Sequence, residues 1–257
     1  MTMFQYAIAS IKSMKGKSPK EKWRYFLDYF AFPTAIVIIV LASIISWRVS
    51  VANRKDVILA GILVNSAFSE ESSDYAQGFY EYAGVNTDEE QAKFSTNINF
   101  TNTLPQMYSA NLQALYAQVG VGDVDFITGQ AQIFPLFAYN RSHMLMDLRK
   151  VLPEDMLAQL EGRLYYIDNS ILELPEDYSS LTELPDSSKE NTFDYPDPSK
   201  PEEMVDPIPI GIDIRDCQRF RNAYYPMDET LYLGIATNYP NPDMLLTFLE
   251  YLLSENG

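Results

Sequence analysis

The sequence predicts an α/β domain that follows a single N-terminal transmembrane helix. A run of nineteen residues, 29–47, contains no charged side chain. Three strand patterns then alternate with three helix patterns between residues 57 and 138. This alternation is typical of a parallel or mixed sheet with helices on both faces.

The uncharged run is long enough to cross a membrane. An α-helix rises about 1.5 Å per residue, so roughly twenty apolar residues span a ~30 Å hydrocarbon core. Tyr29 and Trp47 lie at its ends, where interfacial aromatic residues are common. We therefore predict a transmembrane helix at 29–50. The alternatives are a buried core helix and a cleaved signal peptide. The second is disfavoured because a long segment precedes the run and no A-x-A-like site follows it.

Charges on the two sides of this run predict its orientation. Six basic and two acidic residues lie between Lys12 and Asp28, whereas three basic residues and one acidic residue follow the run before residue 57. Positive flanks favour the cytoplasmic side. The sequence thus predicts a cytoplasmic segment at 1–28 and an extracellular domain at 57–257 of a single-pass cell-membrane protein. Residues 6–14 read either as a short amphipathic helix or as part of a basic tail.

The predicted extracellular part is strongly acidic. It carries ten basic and 32 acidic residues, a net charge of −22. Such a charge repels phosphate backbones and argues against a nucleic-acid partner. Cys217 is the only cysteine in the chain, so an internal disulfide is impossible. An exported domain without disulfides fits a bacterial surface.

Hydrophobic periodicity gives the expected order of elements within the domain. Strands are predicted at 57–65, 93–100, 122–130, 164–167, 208–214 and 231–237. Helices are predicted at 69–83, 104–119, around 133–138, 151–162 and 241–254. Between the two halves of this pattern, residues 174–207 are rich in proline and acidic side chains, which predicts an exposed insertion.

Polar residues at the carboxyl ends of the predicted strands are the candidate ligand-binding residues, because ligands of open α/β sheets bind outside these ends. Backbone N–H groups at 128–130 would bind an anionic group, Arg215 would pair with a carboxylate, and tyrosines after it would stack on a sugar or peptide. The predicted ligand-binding residues are Asn65, Ser66, Thr128, Gly129, Gln130, Arg215 and Tyr224. Asn102, Thr103, Asp213 and Tyr225 lie at the same predicted edge. The alternative for each is a cap or a turn.

The sequence does not predict catalysis, a metal site or a cofactor. His143 is the only histidine, which excludes multi-histidine metal sites, and no nucleophile or nucleotide-binding motif occurs. Asp123 and Asp125 can be read as an acid–base or metal-binding pair, but turn fixing and helix capping are favoured. Cys217 is interpreted as a packed thiol in preference to a reactive one.

Two stretches resemble the type 2 extracellular solute-binding proteins. The first, 122–156, contains Asp123, Asp125, Thr128 and Gly129, followed by Met146-Asp147-Leu148 and Leu152-Pro153. The second, 232–255, reads YLGIATNYPNPDMLLTFLEYLLSE. The layout of a basic segment and one span is similar to membrane-anchored Gram-positive relatives of that family. The resemblance covers about 57–163 and 208–255 and implies a first lobe with a much reduced second lobe.

This resemblance implies non-catalytic capture of a small polar solute by a membrane-tethered domain, with an ABC-type permease as partner. The alternative is an accessory or sensor subunit of a membrane complex that uses the fold for protein–protein contacts. A surface hydrolase is a third class, disfavoured because no nucleophile–base pair is recognisable.

Overall fold

The computed structural model of the chain describes residues 16–29, 31–52, 54–66, 74–100, 105–140, 143–172, 195–217 and 230–254. The chain divides into two compact units, Met1–Arg54 and Lys55–Gly257. The predicted helix at 6–14, the first residues of the helix predicted at 69–83, and residues 173–194 of the insertion lie outside the described residues.

The described residues of the first unit form α1 (Pro19–Tyr29) and α2 (Ala31–Ala52). Among the described residues, α2 is the helix long and apolar enough to cross a membrane. Its large side chains, such as Ile38, Ile45 and Trp47, are exposed, which argues against a buried core helix. A signal sequence near the N-terminus also meets these criteria of length and hydropathy. The helix itself does not define which end faces the cytoplasm.

The second unit is an α/β domain around one mixed sheet of six strands. The strands are β1 (Asp56–Leu63), β2 (Glu90–Ser95), β3 (Phe126–Gln130), β4 (Leu164–Asp168), β5 (Pro207–Asp213) and β6 (Leu231–Ile235). Their order in the sheet is β2-β1-β3-β6-β5-β4. β1 pairs in parallel with β2 and β3, whereas β6 pairs antiparallel with β3 and β5, and β5 antiparallel with β4. The predicted α/β class with a mixed sheet is confirmed.

Within the described residues, five α-helices surround the sheet: α3 (Asp74–Ala83), α4 (Pro105–Val121), α5 (Pro135–Ala138), α6 (Glu154–Gln159) and α7 (Pro242–Leu253). They form two cores because alternate residues of a strand point to opposite faces. On one face Leu59 and Leu63 of β1 join Phe79 of α3 and Phe248 of α7. On the other face Ile62 and Val64 join residues of α4 and α5. Helices therefore cover both faces, as predicted.

Two strands differ from their predicted bounds by three or more residues at one or both ends, and the other four by one or two residues. β2 was predicted at 93–100 but runs from Glu90 to Ser95, because pairing with β1 ends at Ile62 and Ser95. Beyond that point Ile98 and Phe100 are buried while lying outside the strand. β3 was predicted from residue 122, yet it begins at Phe126. The alternation of apolar residues at 93–100 thus indicates that these side chains are buried, but it does not show that the backbone pairs with a neighbouring strand.

The last part of the predicted insertion packs against β4. Tyr195 stacks on Tyr139 with 4.3 Å between ring centroids. The backbone N–H groups of Val205 and Asp206 donate to the Asp168 carboxylate at 2.9 and 3.1 Å. Residues 195–206 are therefore attached to the domain by specific contacts, and they include a short 3-10 helix at Pro201–Glu203.

Candidate functional site

The carboxyl ends of β1, β3 and β5 lie at the same edge of the sheet. Strand pairing places Leu63 opposite Thr128, Thr128 opposite Leu233, and Leu233 opposite Ile212. Counting outward from this row, Asn65 and Gln130 lie two residues beyond it, and Ser66 and Arg215 lie three residues beyond it. Four of the seven predicted ligand-binding residues thus come to one edge, which we call the carboxyl edge.

Thr128 and Gly129 lie inside the sheet, below the carboxyl edge. The Thr128 side chain is fully buried, and its hydroxyl donates to the Ile62 carbonyl at 3.5 Å. A Cβ added to Gly129 would lie 2.7 Å from Cε2 of Phe137. The backbone N–H groups of residues 128–130 were predicted to bind an anionic group, but β3 pairs with β6 through Gln130, as the predicted strand at 122–130 implies. Of residues 128–130, Gln130 is therefore the one that lies nearest to the carboxyl edge.

Asn65 follows β1 and is hydrogen-bonded to the segment after β2. Among the described residues, its side-chain N–H group has no acceptor. It has a left-handed backbone with φ of 58°, a conformation that asparagine tolerates. Its Oδ1 accepts from the Phe100 N–H at 2.6 Å, and its own N–H donates to the Ile98 carbonyl at 3.0 Å. Among the described residues, Nδ2 is buried without a hydrogen-bond partner. The Phe100 N–H fixes the amide orientation, since a flipped amide would set two donors against each other.

Arg215 is paired with Asp213 from its own strand end. Its Nη2 lies 2.6 Å from Asp213 Oδ2, and its Nε donates to the same oxygen at 2.8 Å. The arginine side chain is 56% exposed, whereas that of Asp213 is 11% exposed. The hydrogen bond with Asp213 raises the pKa of the guanidinium group. Because guanidinium carries five N–H donors, this pair leaves capacity for a second acceptor on the solvent side.

Aromatic rings line the sheet beside this ion pair. Tyr232 lies opposite Asp213 in the ladder, and its ring contacts those of Phe134 and Tyr165 at centroid distances of 5.3 and 4.7 Å. Burial raises the pKa of the Tyr232 hydroxyl. Sequence reasoning missed Tyr232, because its place depends on the pairing of β5 with β6. The predicted stacking residue Tyr224 lies outside the described residues, as do Tyr225, Asn102 and Thr103.

Asp123 and Asp125 occupy different environments. Asp123 is exposed, whereas Asp125 is fully buried and accepts hydrogen bonds from the backbone N–H groups of Ala60 and Asn241 at 2.7 and 2.8 Å. The two carboxylates therefore do not form an acid–base or metal-binding pair. The preferred interpretation, turn fixing and helix capping, agrees only in part with Asp125: its carboxylate holds Asn241, the residue before α7, and among the described residues no N–H group within that helix donates to it. Cys217 is buried, as predicted.

Two further grooves have linings that the sequence did not indicate, because distant segments form each of them. A groove of about 430 Å³ includes Arg149, Glu161 and Tyr166. Another of about 280 Å³ lies at the opposite edge of the sheet and includes His143, Lys150 and Asn169. In the described part of the chain, no group of three histidine, cysteine or acidic side chains is placed to hold a metal ion.

Comparisons with models of protein families, with curated proteins and with solved structures found no match. The resemblance to solute-binding proteins therefore rests on the sequence motifs alone.

Proposed function

We propose that this chain is a membrane-tethered extracellular binding domain of the type 2 solute-binding kind, which captures a polar solute without catalysis. The observation that carries the proposal is the strand register, which brings Asn65, Gln130 and Arg215 to the carboxyl edge. Open α/β sheets bind ligands at this edge. The exposed guanidinium of Arg215 provides one polar contact there, and the buried Asn65 Nδ2 provides a second one once the atoms that cover it move aside.

The Asn65 amide supports a ligand that carries an acceptor. A buried unpaired N–H costs roughly 1–3 kcal/mol, so a carbonyl or hydroxyl oxygen that reaches Nδ2 regains this free energy. Arg215 favours a carboxylate, since its planar fork suits two parallel hydrogen bonds.

Sheet geometry sets the size of the solute. Asn65 and Arg215 follow strands that are three positions apart in the sheet, which is about 14 Å at roughly 4.8 Å per strand. An extended peptide rises about 3.3 Å per residue, so a peptide of about four residues reaches from one to the other. We therefore propose short peptides with a free C-terminal carboxylate as the solute class.

The tether is α2, which stays uncleaved in the membrane with the N-terminus in the cytoplasm. A tethered receptor stays near its partner, and this raises the effective concentration of the captured solute without any new contact. The partner in this version is an ABC-type permease. Val205 tests the orientation, because its side chain is 83% exposed and the native Cys217 is buried. A membrane-impermeant thiol reagent should label V205C in intact cells, and labelling only after lysis would reverse the orientation.

A specific observation favours the alternative of an accessory or sensor subunit. The resembling family has a full second lobe between the two matching stretches. Here β4 and residues 195–206, which occupy that interval, join the same sheet or pack on it. The described residues thus form one lobe, and a single lobe cannot close around a solute. In this version the carboxyl edge binds a protein segment of the membrane complex.

Thermal unfolding of residues 55–257 separates the two versions. At a hundredfold excess over its Kd, a ligand adds about 2.7 kcal/mol to the free energy of unfolding. Tetrapeptides with a free carboxylate should raise Tm by several degrees, and the same peptides with an amidated C-terminus should not. The variants N65L and R215Q should each lose the shift, whereas K150Q, altered at an exposed lysine of the opposite edge, should keep it. A Tm that no peptide moves would favour the accessory subunit.

A further inference from the structure

The short helix before the span begins with a well-defined cap. Both the backbone N–H and the hydroxyl of Ser18 donate to Glu21 Oε2 at 2.9 Å, and the Glu21 N–H donates back to the Ser18 hydroxyl at 3.4 Å. This is a capping box, and Pro19 occupies the first helical position. These hydrogen bonds lower the pKa of the Glu21 carboxylate. The sequence Ser-Pro-Lys-Glu therefore starts a separate helix, α1, ahead of α2.

Apolar side chains of α1 form one exposed stripe. Trp23, Phe26 and Leu27 have the i, i+3, i+4 spacing of one helix face. Trp23 is 63% exposed and Leu27 is 50% exposed. The rings of Trp23 and Phe26 stack with 5.7 Å between centroids, which makes the stripe a continuous surface.

The charges of α1 are arranged around this stripe by sign. At about 100° per residue, Lys20 and Lys22 lie roughly 70° and 90° to either side of its centre. Arg24 lies about 110° away, while Glu21 and Asp28 lie roughly 150° to 170° away. The basic side chains thus border the apolar stripe, and the acidic ones are on the far face.

We propose that α1 lies in the headgroup region of the membrane and binds anionic phospholipid through this stripe and its bordering lysines. A single residue separates α1 from α2, so a membrane-embedded α2 holds α1 at the surface. Tryptophan prefers the interface, lysine stems extend toward headgroups, and an anionic surface attracts basic residues that lie near it. The acidic face is then turned to water. The inference rests on the tether proposed above.

The charge arrangement favours lipid over a protein partner. A membrane surface offers negative charge on both sides of an inserted stripe, which matches lysines on both sides of Trp23. A helix-binding groove in a protein would cover the stripe without requiring this symmetry. The occupant we commit to is therefore the acidic headgroup layer.

The test uses the full chain in vesicles, with one tryptophan at a time. The chain has two tryptophans, Trp23 and Trp47, so W47F reports on α1 and W23F reports on the span. Vesicles contain phosphatidylcholine and phosphatidylglycerol at 7:3, with either the phosphatidylglycerol or an equal molar amount of the phosphatidylcholine brominated. We expect brominated phosphatidylglycerol to quench Trp23 roughly twofold more than brominated phosphatidylcholine does at equal mole fraction. The ratio should fall to one in 0.5 M salt, because surface charge is then screened within ~4 Å.

Charge variants and the second reporter separate the possible failures. In the W47F background, K20Q/K22Q should remove the preference for phosphatidylglycerol. The matched control K93Q/K200Q removes two lysines from the second unit and should leave the preference intact. Quenching of Trp47 but not of Trp23 would overturn the inference and leave the tether standing. Absence of quenching at Trp47 as well would overturn both.

Discussion

Asp125 accepts two hydrogen bonds from Asn241, a residue 116 positions later in the chain. Its Oδ1 accepts from the Asn241 N–H at 2.8 Å, and its Oδ2 accepts from Asn241 Nδ2 at 3.0 Å. The same carboxylate accepts from the Ala60 N–H of β1 at 2.7 Å. One buried charge thus connects β1, the start of β3 and the residue before α7.

This arrangement predicts a large cost for Asp125→Asn. The variant keeps the shape but sets an NH₂ group against N–H donors, and hydrogen bonds to a charged group contribute about 1.5–3 kcal/mol each. We expect the free energy of unfolding of residues 55–257 to fall by at least about 2 kcal/mol in urea titrations. Asp123→Asn removes the same charge from an exposed position two residues away and should change stability by less than about 0.5 kcal/mol. Equal effects would contradict the assigned role.

Two glycines with different surroundings give a second prediction. Gly129→Ala places a Cβ against the buried Phe137 ring, and overpacking of a core costs about 1–3 kcal/mol. Gly120 lies near the end of α4 with open space around its Cβ position, so Gly120→Ala should be neutral or stabilise by up to about 1 kcal/mol. Thermal unfolding of both variants measures the difference. A tolerated Gly129→Ala would mean that Phe137 can move away from β3.

The element types in these cores were predictable because their hydrophobic periods were clear, and the apolar run at 57–65 is one example. The pairing partners of β6 were not predictable. Phe126 pairs with Ile235 across more than a hundred residues, and no local pattern encodes that choice. β5 shows a subtler limit. Ile208, Ile210 and Ile212 alternate evenly in sequence. However, the pairing of β5 with β4 skips Ile210, and as a result Ile212 faces the opposite side of the sheet from Ile208 and Ile210. A β-bulge of this kind changes which side of the sheet the following side chains face, and no local sequence pattern predicts it.

The candidate site shows the same division. Strand-end residues Asn65, Gln130 and Arg215 were found from the rule about carboxyl ends. Tyr232 was not found, since its place depends on which strands are neighbours. The pairing of Arg215 with Asp213 was not found either, although both residues belong to the end of one strand. Thr128 and Gly129 were predicted as ligand-binding residues at the end of β3. The structure shows that both pair with β6 inside the sheet, and the sequence did not indicate this pairing.

Asp168 gives a prediction about pH. Burial raises the pKa of Asp168, but the Ser170 hydroxyl and the N–H groups of Val205, Asp206 and Ser170 outweigh it, so the pKa lies below its usual value. A lowered pKa in the folded state stabilises the fold above the unfolded value of about 3.9, and this contribution is lost as pH falls through the folded pKa. Asp168→Asn should therefore cost about 1–3 kcal/mol at pH 7 and progressively less below pH 4. Urea titrations at several pH values measure this convergence.

The exposed Glu161 provides the control for that experiment, because E161Q removes a carboxylate to which no described N–H donates. The free energies of unfolding of E161Q and of the native protein should differ little at pH 7, because no hydrogen bond to a described N–H group is lost. A constant difference in the free energy of unfolding between Asp168→Asn and the native protein from pH 7 to pH 3 would contradict this prediction.

The Asp213–Arg215 pair predicts a measurable coupling energy. A double-mutant cycle with D213N, R215Q and the double variant isolates the interaction from the individual costs. Because Asp213 is nearly buried and receives two guanidinium contacts, we expect a coupling of roughly 0.5–1.5 kcal/mol, above the typical value for an exposed pair. Lys200 and Glu203 form a pair at 3.3 Å with both side chains about half exposed, and the same cycle there should give a coupling within measurement error. If the two cycles gave equal values, Arg215 would be held to Asp213 no more firmly than a surface lysine to its neighbour, and a carboxylate solute would have no preset guanidinium to meet.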